Sequence, residues 1–167
     1  MTNEQEAAAS VMNSQSAEYY RGGALDGISK DDNKNSFKRC RIVPRVMRDV
    51  STIAPQTTIF GLPSALPLYI SPASNAILGH PDGELNLTRA VSPTHRNVVL
   101  ISQAAKTGII QGVSYVASYP LTDILEEKAK EDEASGSSLG MVYQVYVRPD
   151  RSKTEELIRT AIDGGCR

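Results

Sequence analysis

Three short apolar segments alternate with three helical ones from Leu66 to the last residue, and this order constrains the fold more than any other feature. The strand candidates are LPLYIS (66–71), GIIQGVS (108–114) and MVYQVYV (141–147). The first helix candidate is HPDGELNLTRA (80–90), with Pro81 at its first position and acids in its first turn. The second covers 120–134, with Leu121, Ile124 and Leu125 on one face; the third covers 152–162, with Leu157, Ile158 and Ala161 apolar and Gly164-Gly165 as the stop. Such alternation implies parallel strands joined by helical crossovers. The chain is therefore read as α/β, and a doubly wound sheet and a barrel both fit. Neither GxGxxG nor GxxxxGK occurs, which argues against a nucleotide-binding doubly wound sheet. The sequence stops at Gly164-Gly165-Cys166-Arg167, where a fourth strand of the pattern is due.

Upstream, residues 3–20 read as one helix ended by Gly22-Gly23. A polar stretch, DGISKDDNKNSFKRCR, and an extended segment around IVPRVMRDVS follow. Residues 57–60 read as a strand, and Gly61-Leu62-Pro63-Ser64 as the turn into the strand at 66–71. The charge run EEKAKEDE (126–133) reads as a solvated helix face.

The length, 167 residues, suffices for one domain with a sizeable core. Basic and acidic residues nearly balance, 18 against 19, and no basic stripe with interleaved aromatics appears, so no nucleic-acid partner is expected. No apolar run reaches about 18 residues, so no membrane span is expected. The opening MTNEQEAAASV is acidic without an apolar core, unlike a secretory or transit signal. Cys40 and Cys166 are far apart and lack ligand-like spacing to histidine, so neither a metal site nor a disulfide framework is expected. A soluble chain in a reducing, intracellular compartment is the resulting expectation. Cytoplasm, mitochondrion and peroxisome stay open; the terminal GCR is not a peroxisomal tripeptide.

In MVYQVYV, alternation puts Val142, Gln144 and Tyr146 on one face and Met141, Tyr143, Val145 and Val147 on the other. An edge strand with a wetted side fits this pattern. So does a strand whose end opens into a binding site.

Six segments in order resemble the FMN-dependent 2-hydroxy-acid dehydrogenase and oxidase family, the group of glycolate oxidase and the mitochondrial lactate–cytochrome c oxidoreductases. They are YYRGGALD (19–26), FKRCRIVPRVMRDVS (37–51), TTIFGLPSALPLYISPAS (57–74), LGHPDGELNLTRA (78–90), AAKTGIIQGVS (104–114) and YQVYVRPDR (143–151). AAKTGIIQGVS leans toward the fungal lactate-dehydrogenase-like branch. The resemblance implies a (β/α)8 (TIM) barrel with FMN at the C-terminal mouth of its strands, here incomplete: an N-terminal extension and roughly the first three β/α units. It implies oxidation of an (S)-2-hydroxy acid of lactate or glycolate type to a 2-oxo acid, and homo-oligomers for an intact member. Residues 1–15 match poorly, and 16–167 form a partial FMN hydroxy-acid dehydrogenase domain.

By the same resemblance Gln144 bonds the flavin pyrimidine ring, and the backbone at Pro72, Ala73 and Ser74 lies beside flavin N5. Ser114 contacts the isoalloxazine through its hydroxyl. Tyr19 and Tyr146 face the substrate, with Tyr20 as an aromatic anchor for the N-terminal helix. His80, just before Pro81, is read as a local cap.

Against the family pattern, Arg21-Gly22 stand where Ser or Ala is usual, and Ala73-Ser74 where Thr-Ala is common. The family's catalytic base, a histidine, its substrate-binding arginine, a lysine near flavin N1 and the main phosphate-binding segments belong to the later half of the barrel. The sequence holds none of them, so no catalytic residue is assigned and impaired activity is expected. A complete barrel takes about 250 residues. An upstream haem domain, carried by some relatives, is also missing. Thirteen residues, VSPTHRNVVLISQ (91–103), interrupt the run from TRA to AAKTG, and Pro93 would break a helix there. Val can begin GT and Gln can end in AG, so an unspliced intron or gene-model error is one account of the insert. His95 lies inside it and by position is not the family base. A non-catalytic remnant or interaction module of the same family is the alternative function.

Overall fold

The computed structural model describes residues 3–94 and 108–167 and divides into two compact units, Met1–Ile53 and Ala54–Arg167. In the first, the single helix expected over 3–20 is two: α1 (Asn3–Val11) and α2 (Ser14–Arg21). Asn13 causes the break. Its side-chain oxygen accepts the Ser16 N–H at 2.8 Å, an N-cap that starts a new helix. Gly22 ends α2, as expected from the glycine pair. The polar stretch forms helix α3 (Ile28–Ser36) and a 3-10 turn over Phe37–Arg39. The following segment is extended with one turn at Val46-Met47, and it exposes Ile42, Val43, Val46 and Met47.

The second unit opens with a hairpin, β1 (Thr57–Ile59) antiparallel to β2 (Leu62–Ser64). Its turn is Phe60-Gly61, both at positive φ (54° and 74°), as a two-residue hairpin matching the strand twist requires. The expected turn at 61–64 is thus one strand too late. Pro63 is tolerated because the two-stranded ribbon leaves one side of β2 without a ladder.

Strands β3 (Tyr69–Ile70), β4 (Ile110–Val113) and β5 (Met141–Tyr143) then form the expected parallel sheet, in the order β3-β4-β5. The central strand is buried at all four positions, as parallel strands covered on both faces are. Helices α4 (Gly83–Val91) and α5 (Leu121–Ser135) supply the two crossovers, and α6 (Arg151–Asp163) follows β5. All three pack on one face of the sheet. Val113, Leu121, Ile124, Met141, Ala161 and Cys166 share one core cluster, and Thr88 of α4 donates its hydroxyl to Gln111 at 2.8 Å. A doubly wound sheet carries helices on both faces; a barrel wall carries them on one. Of the two architectures open in the sequence, the observed layering is that of a barrel wall.

The hairpin lies at the N-terminal end of this sheet, where the Ala65 N–H donates to the Gly108 carbonyl at 3.1 Å. Gly108 is irreplaceable there, since a Cβ would sit 2.1 Å from the Val91 carbonyl oxygen. Helix α4 ends at Val91 with Ser92 as its cap, one residue before Pro93. Residues 95–103 of the insert, with His95 among them, lie outside the described residues.

The charge run on α5 is only in part the solvated face expected: Glu126, Lys130 and Glu133 are exposed, whereas Glu127 and Lys128 are buried. The Arg89 guanidinium bonds Glu127 and, at 2.8 Å, Asp82. Lys128 reaches Asp132 at 2.6 Å, and the other Asp132 oxygen accepts the Leu139 N–H at 2.6 Å. These contacts bind α5 to α4 and to the linker before β5. Among the described residues, no helix is long and apolar enough to cross a membrane.

Candidate functional site

Parallel strands all deliver their C-terminal ends to one edge of the sheet, so the residues just past β3, β4 and β5 lie together there. Past β3 come Pro72, Ala73 and Ser74; past β4, Ser114 and Tyr115; past β5, Gln144 and Tyr146. Alternation along the strands decides which face each uses. Gln111, Val113, Met141 and Tyr143 face the helices. Gly112, Ser114, Val142 and Gln144 therefore take the opposite face. The Ser114 hydroxyl donates to Gln144 Oε1 at 3.2 Å, joining two neighbouring strand ends on that face. Pro72 closes over Gly112 so tightly that a Cβ there would meet Pro72 Cδ at 2.6 Å and the Ile70 carbonyl oxygen at 2.8 Å.

The β5 ladder ends at Tyr143, although the Gln144 N–H still donates to the Val113 carbonyl at 2.9 Å. The strand expected over 141–147 is thus shorter. Beyond it Gln144 and Tyr146 are exposed, and the Tyr146 ring lies 5.2 Å from that of Tyr115, tilted by 30°. Arg148 sits over the other partner of that stack, 5.2 Å from the Tyr115 ring centroid. Such cation–π contacts fix an arginine without neutralising it.

Tyr115 is not among the site residues expected from the sequence, although its position directly after Ser114 at a buried strand's mouth is a usable signal. Nor is Gln111, a polar residue inside an otherwise apolar strand, which ties β4 to α4 by accepting the Thr88 hydroxyl. A third omission is Glu84, 2% exposed at the start of α4.

On the helix side of the same strand ends lies a cavity of about 740 Å³. Ser114, Tyr115, Tyr143, Arg148, Lys153 and Thr160 are among its lining. Ser114 is the one expected site residue that it includes; Pro72, Ala73, Ser74, Gln144 and Tyr146 do not line it. Burial raises the Tyr143 phenol above its ordinary value of 10.0, with neighbouring Tyr115 and Cys166 adding to it and Arg148 opposing. The phenol stays protonated at physiological pH.

Tyr19 lies on α2 in the first unit, with its ring edge-on to Tyr20 at 5.4 Å. Tyr20, the expected anchor, lines a second cavity of about 320 Å³ together with Ala8, Met12 and Ala17. His80 behaves as the local cap expected: its Nδ1 accepts the Asp82 N–H at 3.1 Å.

A family model described as FMN-dependent dehydrogenase matches residues 8–167. The human 2-Hydroxyacid oxidase 2 is 35% identical over 159 residues, which cover 95% of this chain and 39% of that protein. Oxidase FUB9 of Fusarium oxysporum is 38% identical over 109 residues, or 65% of this chain and 28% of that one. Among solved structures, a flavocytochrome b2 variant with sulfite bound superposes with a TM-score of 0.79 at 27% identity, covering 98% of this chain and 38% of the other. A mandelate oxidase variant holding a C4a-OH-FMN adduct gives 0.77 at 25%, covering 99% and 43%. The chain spans between about a quarter and two fifths of the length of these relatives. With nearly every residue inside the family match, and a one-sided parallel sheet that superposes on two flavin oxidoreductases, this chain belongs to the FMN-dependent dehydrogenase family.

Proposed function

We propose that these strand ends are the flavin-facing part of an (S)-2-hydroxy-acid oxidase or dehydrogenase, and that residues 16–167 are an N-terminal extension and roughly the first three β/α units of its barrel. The single observation that carries this reading is the Ser114–Gln144 hydrogen bond across adjacent strand ends, on the face free of helices. Gln144 uses only its Oε1 in that bond and is exposed, which leaves its amide N–H groups to meet the donor and acceptor edge of a pyrimidine ring. The donor set therefore fits FMN, which when bound supplies the acceptor for a hydride equivalent from the substrate carbon.

In this reading Ser114 fixes the Gln144 rotamer, and Pro72, Ala73 and Ser74 set the wall beside flavin N5. Tyr146, held by Tyr115, offers its hydroxyl to the substrate. The chain contributes no residue to proton abstraction: His80 is engaged as a turn cap, and His95 lies in the insert. Substrate turnover accordingly needs a histidine base that these residues do not supply.

The test is titration of the chain with FMN, followed by quenching of flavin fluorescence. Ser114→Ala and Gln144→Leu are each expected to raise the FMN Kd by about 5- to 10-fold, the loss of one hydrogen-bonding group. Equal Kd values for both variants and the unsubstituted chain would overturn the assignment. Lactate or glycolate turnover by this chain alone would overturn the statement that it lacks the base.

A further inference from the structure

We propose that Glu84 is a positioning residue of the flavin site, locking the segment after β3 to the segment after β4 so that their two mouths move as one. This rests on the reading of those mouths as flavin-facing. Glu84 opens α4, yet its carboxyl group does not cap its own helix. One oxygen, Oε1, accepts the Ala76 N–H at 3.2 Å and the Ser118 N–H at 3.0 Å. Ala76 lies two residues beyond Ser74, and Ser118 four beyond Ser114. The other oxygen, Oε2, is buried without a hydrogen-bond partner among the described residues.

Burying a carboxyl group is costly unless its hydrogen bonds compensate. For packing alone a leucine would serve better. What the acid adds is one acceptor shared by two loops that are 42 residues apart in sequence (Ser118 against Ala76) and carry the contacts proposed for the flavin.

Neighbouring bonds reinforce the same link. The Ile77 N–H donates to Ser118 Oγ at 3.2 Å, and the Tyr119 hydroxyl donates to the Pro81 carbonyl at 3.0 Å. Gly83, at a φ of 43°, lets the loops approach: a Cβ there would lie 3.1 Å from the Ile77 nitrogen and 3.4 Å from the Tyr119 ring. Pro72 and Ser114 thus sit on segments clamped from behind, and the Ser114–Gln144 bond passes that constraint to β5.

The test uses the full chain and four variants. Amide exchange at Ala76 and Ser118 is followed by NMR, and FMN affinity by fluorescence quenching. E84Q keeps Oε1 as acceptor and is expected to hold both amides and the FMN Kd within about two-fold of the unsubstituted chain. E84A removes the shared acceptor and is expected to speed both exchange rates and raise the FMN Kd by about ten-fold. I124V, in the core on α5, is expected to lower stability and leave the Kd unchanged. S118A removes only the acceptor for Ile77 and is expected to raise the Kd by about three-fold.

Faster exchange in E84A with an unchanged Kd would overturn the positioning role and leave the flavin reading standing. A chain whose unsubstituted form does not quench FMN at all would overturn both. If E84A does not fold, S118A decides: a Kd equal to that of the unsubstituted chain overturns the proposal.

Discussion

Replacing Gly112 by alanine tests whether β3 and β4 hold the proposed flavin wall in place. The new methyl would stand 2.6 Å from Pro72 Cδ, 2.9 Å from Pro72 Cγ and 2.8 Å from the Ile70 carbonyl oxygen. Carbon atoms pack at about 3.5 to 4.0 Å, so the proline ring must retreat by roughly 1 Å. Ile70 cannot yield by rotation, because the close atom is backbone in the β3–β4 ladder. That ladder has only two residue pairs, Tyr69 with Ile110 and Ile70 with Gln111, so relief comes from displacing Pro72–Ser74 or from parting the strands. Overpacking of this kind costs about 1–3 kcal/mol. Gly136→Ala makes the control. Nothing lies within 4 Å of its Cβ position, and its φ of 65° imposes backbone strain alone, about 1 kcal/mol. Urea unfolding followed by circular dichroism should show both variants destabilised. FMN titration should separate them, with Gly112→Ala weakened by about ten-fold and Gly136→Ala unchanged. A Gly112→Ala chain that keeps both its stability and its flavin affinity would refute the argument that Pro72 is held against β4.

Two further outcomes follow from the titrating groups. Burial pushes the Cys166 thiol up to about 11, whereas Cys40 is exposed, so a thiol reagent at about pH 8 should label Cys40 rapidly and Cys166 only on unfolding. Equal labelling rates in the folded chain would contradict the packing of Cys166 in the core. Glu127 is held below its ordinary value of 4.5, first by the Arg89 guanidinium and then by Lys130. A depressed carboxyl contributes stability that is full above its unfolded value and is lost as the pH falls through the lower folded one. Unfolding free energies measured downward from about pH 5 should therefore decline, and Glu127→Gln should flatten that decline; an identical slope in the variant would exclude the ion pair as its source.

The alternation of LPLYIS, GIIQGVS and MVYQVYV with helical segments carried the parallel sheet, because a crossover connection permits little else. Its one-sided layering was not legible. Deciding between barrel wall and doubly wound sheet required knowing that Thr88, Ile124 and Ala161 meet the same face, a long-range fact that local periodicity does not encode. The division of residues 3–20 was missed because alanine-rich helix propensity outweighed Asn13 in the reading, whereas in the molecule the cap is decisive. The hairpin was misplaced because Pro63 reads as a turn residue, while Phe60 at positive φ is a choice that propensity disfavours. The acidic and basic run on α5 gave no sign of burial, since Arg89, the partner of Glu127, comes from another helix. At the site, alternation alone placed Gln144 on the face opposite Met141 and Tyr143, and the bond to Ser114 agrees with it. Glu84 stayed hidden because both its donors are backbone amides, which carry no residue-type signature.

At the outer side of β5, the Arg167 N–H donates to the Met141 carbonyl at 2.9 Å, and the Arg167 carbonyl accepts the Tyr143 N–H at 3.0 Å. Those are the two bonds of a parallel bridge, which sets Arg167 opposite Val142. A phase is thereby fixed for any polypeptide continuing along this edge: odd and even positions have their sides already assigned, and sliding by a single residue would turn every later side chain inside out. Two hydrogen bonds at one residue thus set the side-chain phase along this edge.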